Sequence, residues 1–285
     1  MDSHVWHEIY RTIVLVNREI PRLGRRPRYS DSLIVAMYVW SVAHDRPLCW
    51  ACDRRNYGSC FRPRALPSVS QFCKRIKTAR CTKMLQRMHE RLSHLGWEQE
   101  LSFIDGRALP VGPHTKDPDA RAGRASGGFA RGYKLHAWAA QDGRIPVWSV
   151  MPLNVNEKPV AHELLRYRRA DELVLADGEY DSRALYDAVS EDGGHFLTPL
   201  PQNAGKGHVP QSPVRNAAAL AWQGIAGYVY RERSGVERTF AHISAFGGGL
   251  AGLPPWVRTL PRVRRWVGTK LIIYHARWNL RKRVI

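Results

Sequence analysis

Twice in this chain a short apolar run ends on an Asp-Gly pair, in Leu101-Ser-Phe-Ile-Asp105-Gly106 and in Leu173-Val-Leu-Ala-Asp177-Gly178. Each run is short enough, and apolar enough, to read as a buried strand. In open α/β sheets ligands gather outside the carboxyl ends of strands, so two acids in this context can face one site. An Asp-Gly pair is also an ordinary way to start a turn. The repeated context leaves both readings open.

The flanking pattern points to a mixed α/β layout with helices packed on a sheet. Tyr133–Ala140 and Pro146–Pro152 are apolar stretches joined around Gln141-Asp-Gly-Arg144. Asp-Gly is a hairpin signal, so these two are expected to pair antiparallel. The Gly- and Arg-rich stretch from about Gly106 to Gly132 reads as a loop. Pro159–Arg166 and Asp181–Ser190 read as helices, His195–Leu200 as a strand and Pro201–Arg215 as a polar loop. Tyr228–Phe246 reads as a helix stopped by Gly247-Gly-Gly249, and Pro261–Arg281 as the last helix.

Before Ser102 the spacing is helical. Ile9, Ile13, Val14 and Val16 share one face, and Leu33, Ile34, Met37 and Tyr38 share another behind Ser30, a candidate N-cap. A third segment, about Ser68 to Leu95, threads Lys74, Arg75, Lys77, Arg80, Lys83, Arg87 and Arg91 between apolar residues. Short helices with scattered bases fit a helix-turn-helix DNA reader and a helical dimerisation domain equally well. The expected division is a helical, helix-turn-helix-like DNA-binding region over 1–98 and a mixed α/β domain over 99–285.

Charge narrows the class of partner. The 44 Lys plus Arg against 25 Asp plus Glu give a net charge of +19. Such an excess calls for a polyanion, and nucleic acid is the commonest one. A membrane surface is the competing reading. No apolar run approaches the roughly 18–20 residues of a membrane span. Met1-Asp-Ser-His4 lacks the layout of a signal peptide, so the expected location is the cytoplasm. The five cysteines are Cys49, Cys52, Cys60, Cys73 and Cys81. An odd number argues against a disulfide framework. Cys49 and Cys52 have zinc-like spacing but lack a partner motif, so buried thiols are the plainer reading.

A third acid joins the two aspartates. Tyr230, Arg233 and Glu237 are spaced by three and four residues, which stacks them on one helix face with Arg233 a turn from the carboxylate. Ser234-Gly-Val-Glu237 also fits a capping box, with Ser234 as the N-cap. The two readings differ on whether Tyr230 shares the helix.

Together these motifs resemble the DDE-type transposases of bacterial insertion sequences. The Asp105 and Asp177 strands stand where that family has its two aspartates, and Tyr230, Arg233 and Glu237 match its signature Y-x2-R-x3-E-x6-K. Gly132-Tyr-Lys-Leu-His136, Asn156-Glu-Lys-Pro159 and Phe246-Gly-Gly-Gly-Leu250 look familiar for it as well. The resemblance covers roughly residues 99–285. One position departs, since Ser244 stands where the signature has Lys.

The resemblance implies an RNase H-like mixed sheet flanked by helices, preceded by the N-terminal helical segment. It implies cleavage at insertion-sequence ends and transfer of the 3′-hydroxyl into target DNA. Asp105, Asp177 and Glu237 would be the catalytic, metal-binding acids, holding two Mg²⁺ or Mn²⁺ ions. Hard, small ions of this kind prefer oxygen ligands. Double-stranded DNA would be the partner, met by Tyr230, Arg233, Arg238, Lys134, Arg124 and Arg131. A homodimer on DNA and a nucleoid-associated, bacterial cytoplasmic location also follow from it. The rival readings are an RNase H-like nuclease without strand transfer and a degenerate or domesticated relative that only binds DNA.

Overall fold

The computed structural model of the chain describes all residues except 22–23, 25–26, 95–99, 126, 168–169, 200–211, 223 and 284–285. It divides into two compact units, Trp97–His242 and Met1–Gly96 together with Ile243–Ile285.

The Trp97–His242 unit is a curled mixed sheet with helices on both faces, the RNase H-like layout expected from the sequence. Its strands are β1 (Leu101–Val111), β2 (Arg121–Ala125), β3 (Gly128–Ala140), β4 (Val147–Pro152), β5 (Leu173–Ala176) and β6 (His195–Leu197). They run in the order β2-β3-β1-β5-β6, with β4 also on β3. β1 pairs antiparallel with β3 and parallel with β5, and β5 pairs parallel with β6. β2 and β4 share one edge of β3 in succession, β2 along Gly128–Gly132 and β4 along Tyr133–Trp138. The hairpin joining β3 to β4 is the expected antiparallel pair, with Gly143 at φ +93° in its turn.

Alternation along a strand sends successive side chains to opposite faces. On one face Ile104, Trp138, Val174 and Ala176 pack in a core with Ala161, Leu165, Leu185, Tyr186 and Val189. The last five belong to helices, including Glu157–Leu165 and Arg183–Ser190. On the other face a Cβ at Gly235 would lie 3.1 Å from the Phe103 ring. There too Arg107 Nη1 donates to the Phe240 carbonyl at 2.8 Å. Phe103 and Arg107 bracket Asp105, which therefore faces the Ser234–Ser244 helix.

The segment from Gly106 to Gly132, expected as a loop, is mostly strand. β1 continues to Val111, and β2 and the start of β3 form a hairpin. Glycine is placed here for close backbone approach, as it often is inside strands. A Cβ at Gly132 would lie 2.4 Å from the Leu109 carbonyl oxygen, and one at Gly123 2.4 Å from that of Leu153. The polar loop expected over Pro201–Arg215 lies outside the described residues as far as 211. Beyond it Pro213–Trp222 is a helix.

The other unit is helical. Its helices are α1 (Ser3–Glu19), α2 (Asp31–Ala43), α3 (Val69–Arg75) and α4 (Ala79–Ser93), followed far along the chain by Leu260–Arg283. Numbered in order along the whole chain, the helices after α4 are α5 Glu157–Leu165, α6 Arg183–Ser190, α7 Pro213–Trp222, α8 Ile225–Val229, α9 Ser234–Ser244 and α10 Leu260–Arg283. Ser30 caps α2 as its sequence suggested, accepting from Leu33 N. The Ser68–Leu95 segment is two helices, because Thr78 caps a fresh start by accepting from Cys81 N. Helix α10, grouped in the sequence reading with residues 99–285, packs on α4, α1 and α2.

Two of the basic residues threaded through α3 and α4 serve this packing. Arg75 and Arg80 both pair with the buried Asp31, and Arg80 also donates to the carbonyls of Asn17, Ile20 and Pro21. Lys270 is buried in α10 and donates to Val42 O, Gly248 O and Asp45 at 2.7–2.9 Å. The five cysteines are free thiols, with Cys81 buried and Cys49 exposed. Among the described residues no helix is long and apolar enough to cross a membrane.

Candidate active site

The parallel register of β1 and β5 pairs Ile104 with Ala176, so the next residues, Asp105 and Asp177, lie side by side. β5 ends at Ala176, whereas β1 runs on to Val111. Asp105 is therefore within its strand and not at its end, and the site opens where its parallel neighbour stops. Gly106 N donates to Asp105 Oδ1 at 2.8 Å, and Glu179 N donates to Asp177 Oδ1 at 3.0 Å.

The third acid comes from α9. Ser234 has helical backbone angles (φ −55°, ψ −17°), so it does not serve as an extended N-cap and the capping-box alternative is not formed. Helical backbone instead runs through a 3-10 turn, Tyr230–Arg233, into α9. That continuity brings Arg233 into the middle of the acids. Its Nη2 lies 3.4 Å from Asp105 Oδ1 and 3.7 Å from Asp177 Oδ2, and its Nη1 lies 3.6 Å from Glu237 Oε1. These separations exceed an ordinary hydrogen bond, so the attraction is Coulombic. Arg233 Nε is buried with no hydrogen-bond partner among the described residues. The carboxylates form a gradient of exposure, from 14% at Asp105 through 33% at Asp177 to 69% at Glu237.

Burial leaves its mark on the protons. It pushes the Asp105 carboxyl up to about 6, with Arg233 opposing and Asp177 and Glu157 adding to the rise. Burial likewise raises Asp177, helped by the Glu157 charge and opposed by Arg233.

Glu157 is the residue that sequence reasoning passed over. It stands in the first turn of α5, behind the cap Asn156, where an acid is unremarkable. Here it is ion-paired to Lys134 across from the two aspartates. Burial would raise its carboxyl, but the Lys134 ammonium and the nearby Tyr180 hydroxyl bring it below the usual range. Gly106 makes room for the pair, since a Cβ there would meet the Lys134 side chain at 2.9 Å and a Glu157 carboxylate oxygen at 3.2 Å. Asn156-Glu-Lys-Pro159 was legible as a motif, and only the fold shows which of its residues faces the site. His136 is fully buried nearby with neither ring nitrogen partnered among the described residues, and burial holds it down at about 4.

The other expected contact residues are dispersed around this centre. Tyr230 donates its hydroxyl to the Ala176 carbonyl at 3.1 Å and packs on Trp222, so it braces the end of β5 next to Asp177. Arg124 is exposed and lies 3.5 Å from Glu179. Arg131 Nε donates to Ala120 O, and Arg238 Nη1 to Ser234 Oγ. Arg124, Lys134, Glu157, Lys158 and Glu179 also line an open cavity of about 590 Å³. In the helical unit, Ser244 donates its hydroxyl to the Leu250 carbonyl at 2.9 Å, closing the turn that follows α9.

A family model described as the transposase DDE domain matches residues 96–274, more than half of the chain. The chain belongs to this family. The match runs from before β1 through all three acids to most of α10. No curated protein and no solved structure matches the chain. Membership makes this DDE-domain protein one of a family of transposition enzymes acting on DNA.

Divalent metal is the cofactor such a family implies, and the donor set suits it. Asp105, Asp177 and Glu237 offer hard carboxylate oxygens, which small divalent cations prefer. The Arg233 guanidinium already occupies the place where these three acids favour positive charge. Among the described residues no three His, Cys, Asp or Glu are grouped closely enough to hold one ion. What the three acids share is Arg233.

Proposed function

We propose that this DDE-domain protein cleaves DNA at the ends of an insertion sequence and transfers the freed 3′-hydroxyl into target DNA. The observation that carries this reading is the meeting of Asp105, Asp177 and Glu237 around one guanidinium, within the region matched by the family. Asp105 and Asp177 would hold the metal ions with Glu237, which reaches in from the exposed side. Two bound Mg²⁺ or Mn²⁺ ions would activate the attacking hydroxyl or water and stabilise the leaving oxygen.

The chain's own groups have separable tasks. Arg233 would turn from the carboxylates to the phosphate once other cations neutralise the acids, and its planar fork suits a phosphate oxygen pair. Asp105, raised by burial, gives up its proton readily near neutral pH when positive charge arrives. Tyr230 keeps the β5 end, and with it Asp177, in place. Arg124, Arg131, Lys134 and Arg238 would meet the DNA backbone around this centre, and the helical unit would add a further DNA-binding surface. A homodimer on DNA would bring two element ends together.

The test is the joining of pre-cleaved ends to a target duplex, assayed with Mg²⁺ and with chelator. Joining that needs Mg²⁺ and disappears in Asp105→Asn supports the proposal. Cutting without joining would favour a nuclease. A DNA-binding relative without catalysis is the second reading, favoured by Ser244, whose hydroxyl is engaged by Leu250 and brings no charge where the signature has Lys. DNA binding with neither cutting nor joining would establish it.

A further inference from the structure

Phe129 is the most exposed large apolar side chain among the described residues, at 87%. It sits near the tip of the β2–β3 hairpin, where the register pairs it with Arg124 and pairs Ala125 with Gly128. Directly opposite residues of an antiparallel pair project from one face, as do residues two apart on a strand. Arg124 across and Arg131 along the strand thus flank Phe129 on its own face. Arg124 is itself 81% exposed and reaches Glu179, two residues beyond Asp177. The hairpin therefore presents an exposed aromatic ring on the same face as the exposed Arg124 and the half-buried Arg131, whose Nε donates to Ala120 O, next to the loop that carries one of the site's aspartates.

We propose that this hairpin captures an unpaired nucleotide of the DNA strand being processed, with the base stacked on Phe129 and its phosphates held by Arg124 and Arg131. The inference rests on the reading of the site as a DNA-processing centre and adds a subsite to it. A free ring needs a free π-face, and an unpaired base supplies one without the cost of a few kcal/mol for unstacking a duplex step. Stacking on an aromatic side chain is tolerant of sequence. A second copy of the chain is the less suitable occupant, since it would bring arginines against arginines in a protein of net charge +19.

The experiment compares binding of the full chain to a blunt duplex and to the same duplex carrying a short unpaired tail. It is followed by fluorescence anisotropy in chelator, with 2-aminopurine in the tail as a second readout. The wild type should prefer the tailed duplex by about tenfold, within the ~1–3 kcal/mol that stacking of one base contributes. Phe129→Ala should abolish that preference and the 2-aminopurine quenching while binding the blunt duplex as before. Phe129→Trp should retain both. The inference is overturned if the wild type shows no preference, or if Phe129→Ala keeps it or weakens both duplexes equally. It is equally overturned if the substitution alters self-association in sedimentation and leaves DNA binding untouched. A wild type that binds neither duplex would overturn the proposed function as well, which separates the two failures.

Discussion

Arg233 is the residue on which the site's electrostatics turn. It supplies one positive charge to three acids, at 3.4–3.7 Å from each. Replacing it by Gln leaves neighbouring carboxylates partly buried and uncompensated, which costs about 1–3 kcal/mol. Arg233→Gln should therefore melt earlier than wild type in chelator and gain more from added Mn²⁺. Equal Mn²⁺ shifts in the two proteins would contradict the role given to the guanidinium. Asp105 and His136 are both affected by burial, with opposite consequences for pH. His136 is held at about 4. The unfolded chain takes up its proton near pH ~6.5. Its contribution is thus full above that pH and is lost as pH falls toward 4. Asp105 is raised to about 6 from 3.8, so the folded state keeps a proton that the unfolded state has released. That contribution is present below pH 3.8 and is lost as pH rises through 6. The two offset each other in one window. Asp105→Asn removes the second, so its unfolding free energy in chelator should climb more steeply from pH 4 to 6 than the wild type's. The difference should be on the order of 2 kcal/mol. Parallel profiles from urea denaturation would contradict the raised Asp105 carboxyl, since His136 is common to both proteins.

At the scale of elements, the β1–β3 pairing at Gly132 tests why a glycine-rich stretch folds as strands. Gly132→Ala would push a methyl against the Leu109 carbonyl oxygen, and the strands would have to part. A loss of about 3 kcal/mol in urea denaturation is expected, typical of a clash at a close backbone approach. A neutral substitution would mean that the close approach is not maintained. This stretch also shows where sequence reading stopped. Glycine and arginine are weak strand formers, and the reason for glycine lies in a neighbouring backbone that no local pattern reveals. Where the signal is local, it was legible: Ser30 capping α2, the Asp142-Gly143 turn, and the two apolar runs of β1 and β5. The approach of the three acids to Arg233 was legible too, because apolar run plus Asp-Gly and helical spacing are local patterns. Glu157 was not, since a helix-start acid looks the same whether it meets solvent or Lys134. Arg75 and Arg80 were read as part of a basic stretch, yet their partner, Asp31, is more than 40 residues away in sequence.

For the whole molecule, net charge is the dominant long-range quantity. A protein of +19 that contacts about six phosphates releases counterions in proportion, so a fourfold rise in salt should weaken DNA binding by about a thousandfold. Binding that barely responds to salt would remove the phosphate backbone from the picture. The charge cannot by itself specify the chemistry, which in the proposed function rests on the few acids the fold gathers within this basic chain. The most direct measurement is a Mn²⁺ titration of the folded protein by calorimetry or electron paramagnetic resonance, free of any DNA. Asp105→Asn, Asp177→Asn and Glu237→Gln should each weaken Mn²⁺ binding by about tenfold or more, a loss of roughly 1.4 kcal/mol. Wild-type affinity in all three variants would contradict the assignment of these acids as the metal site.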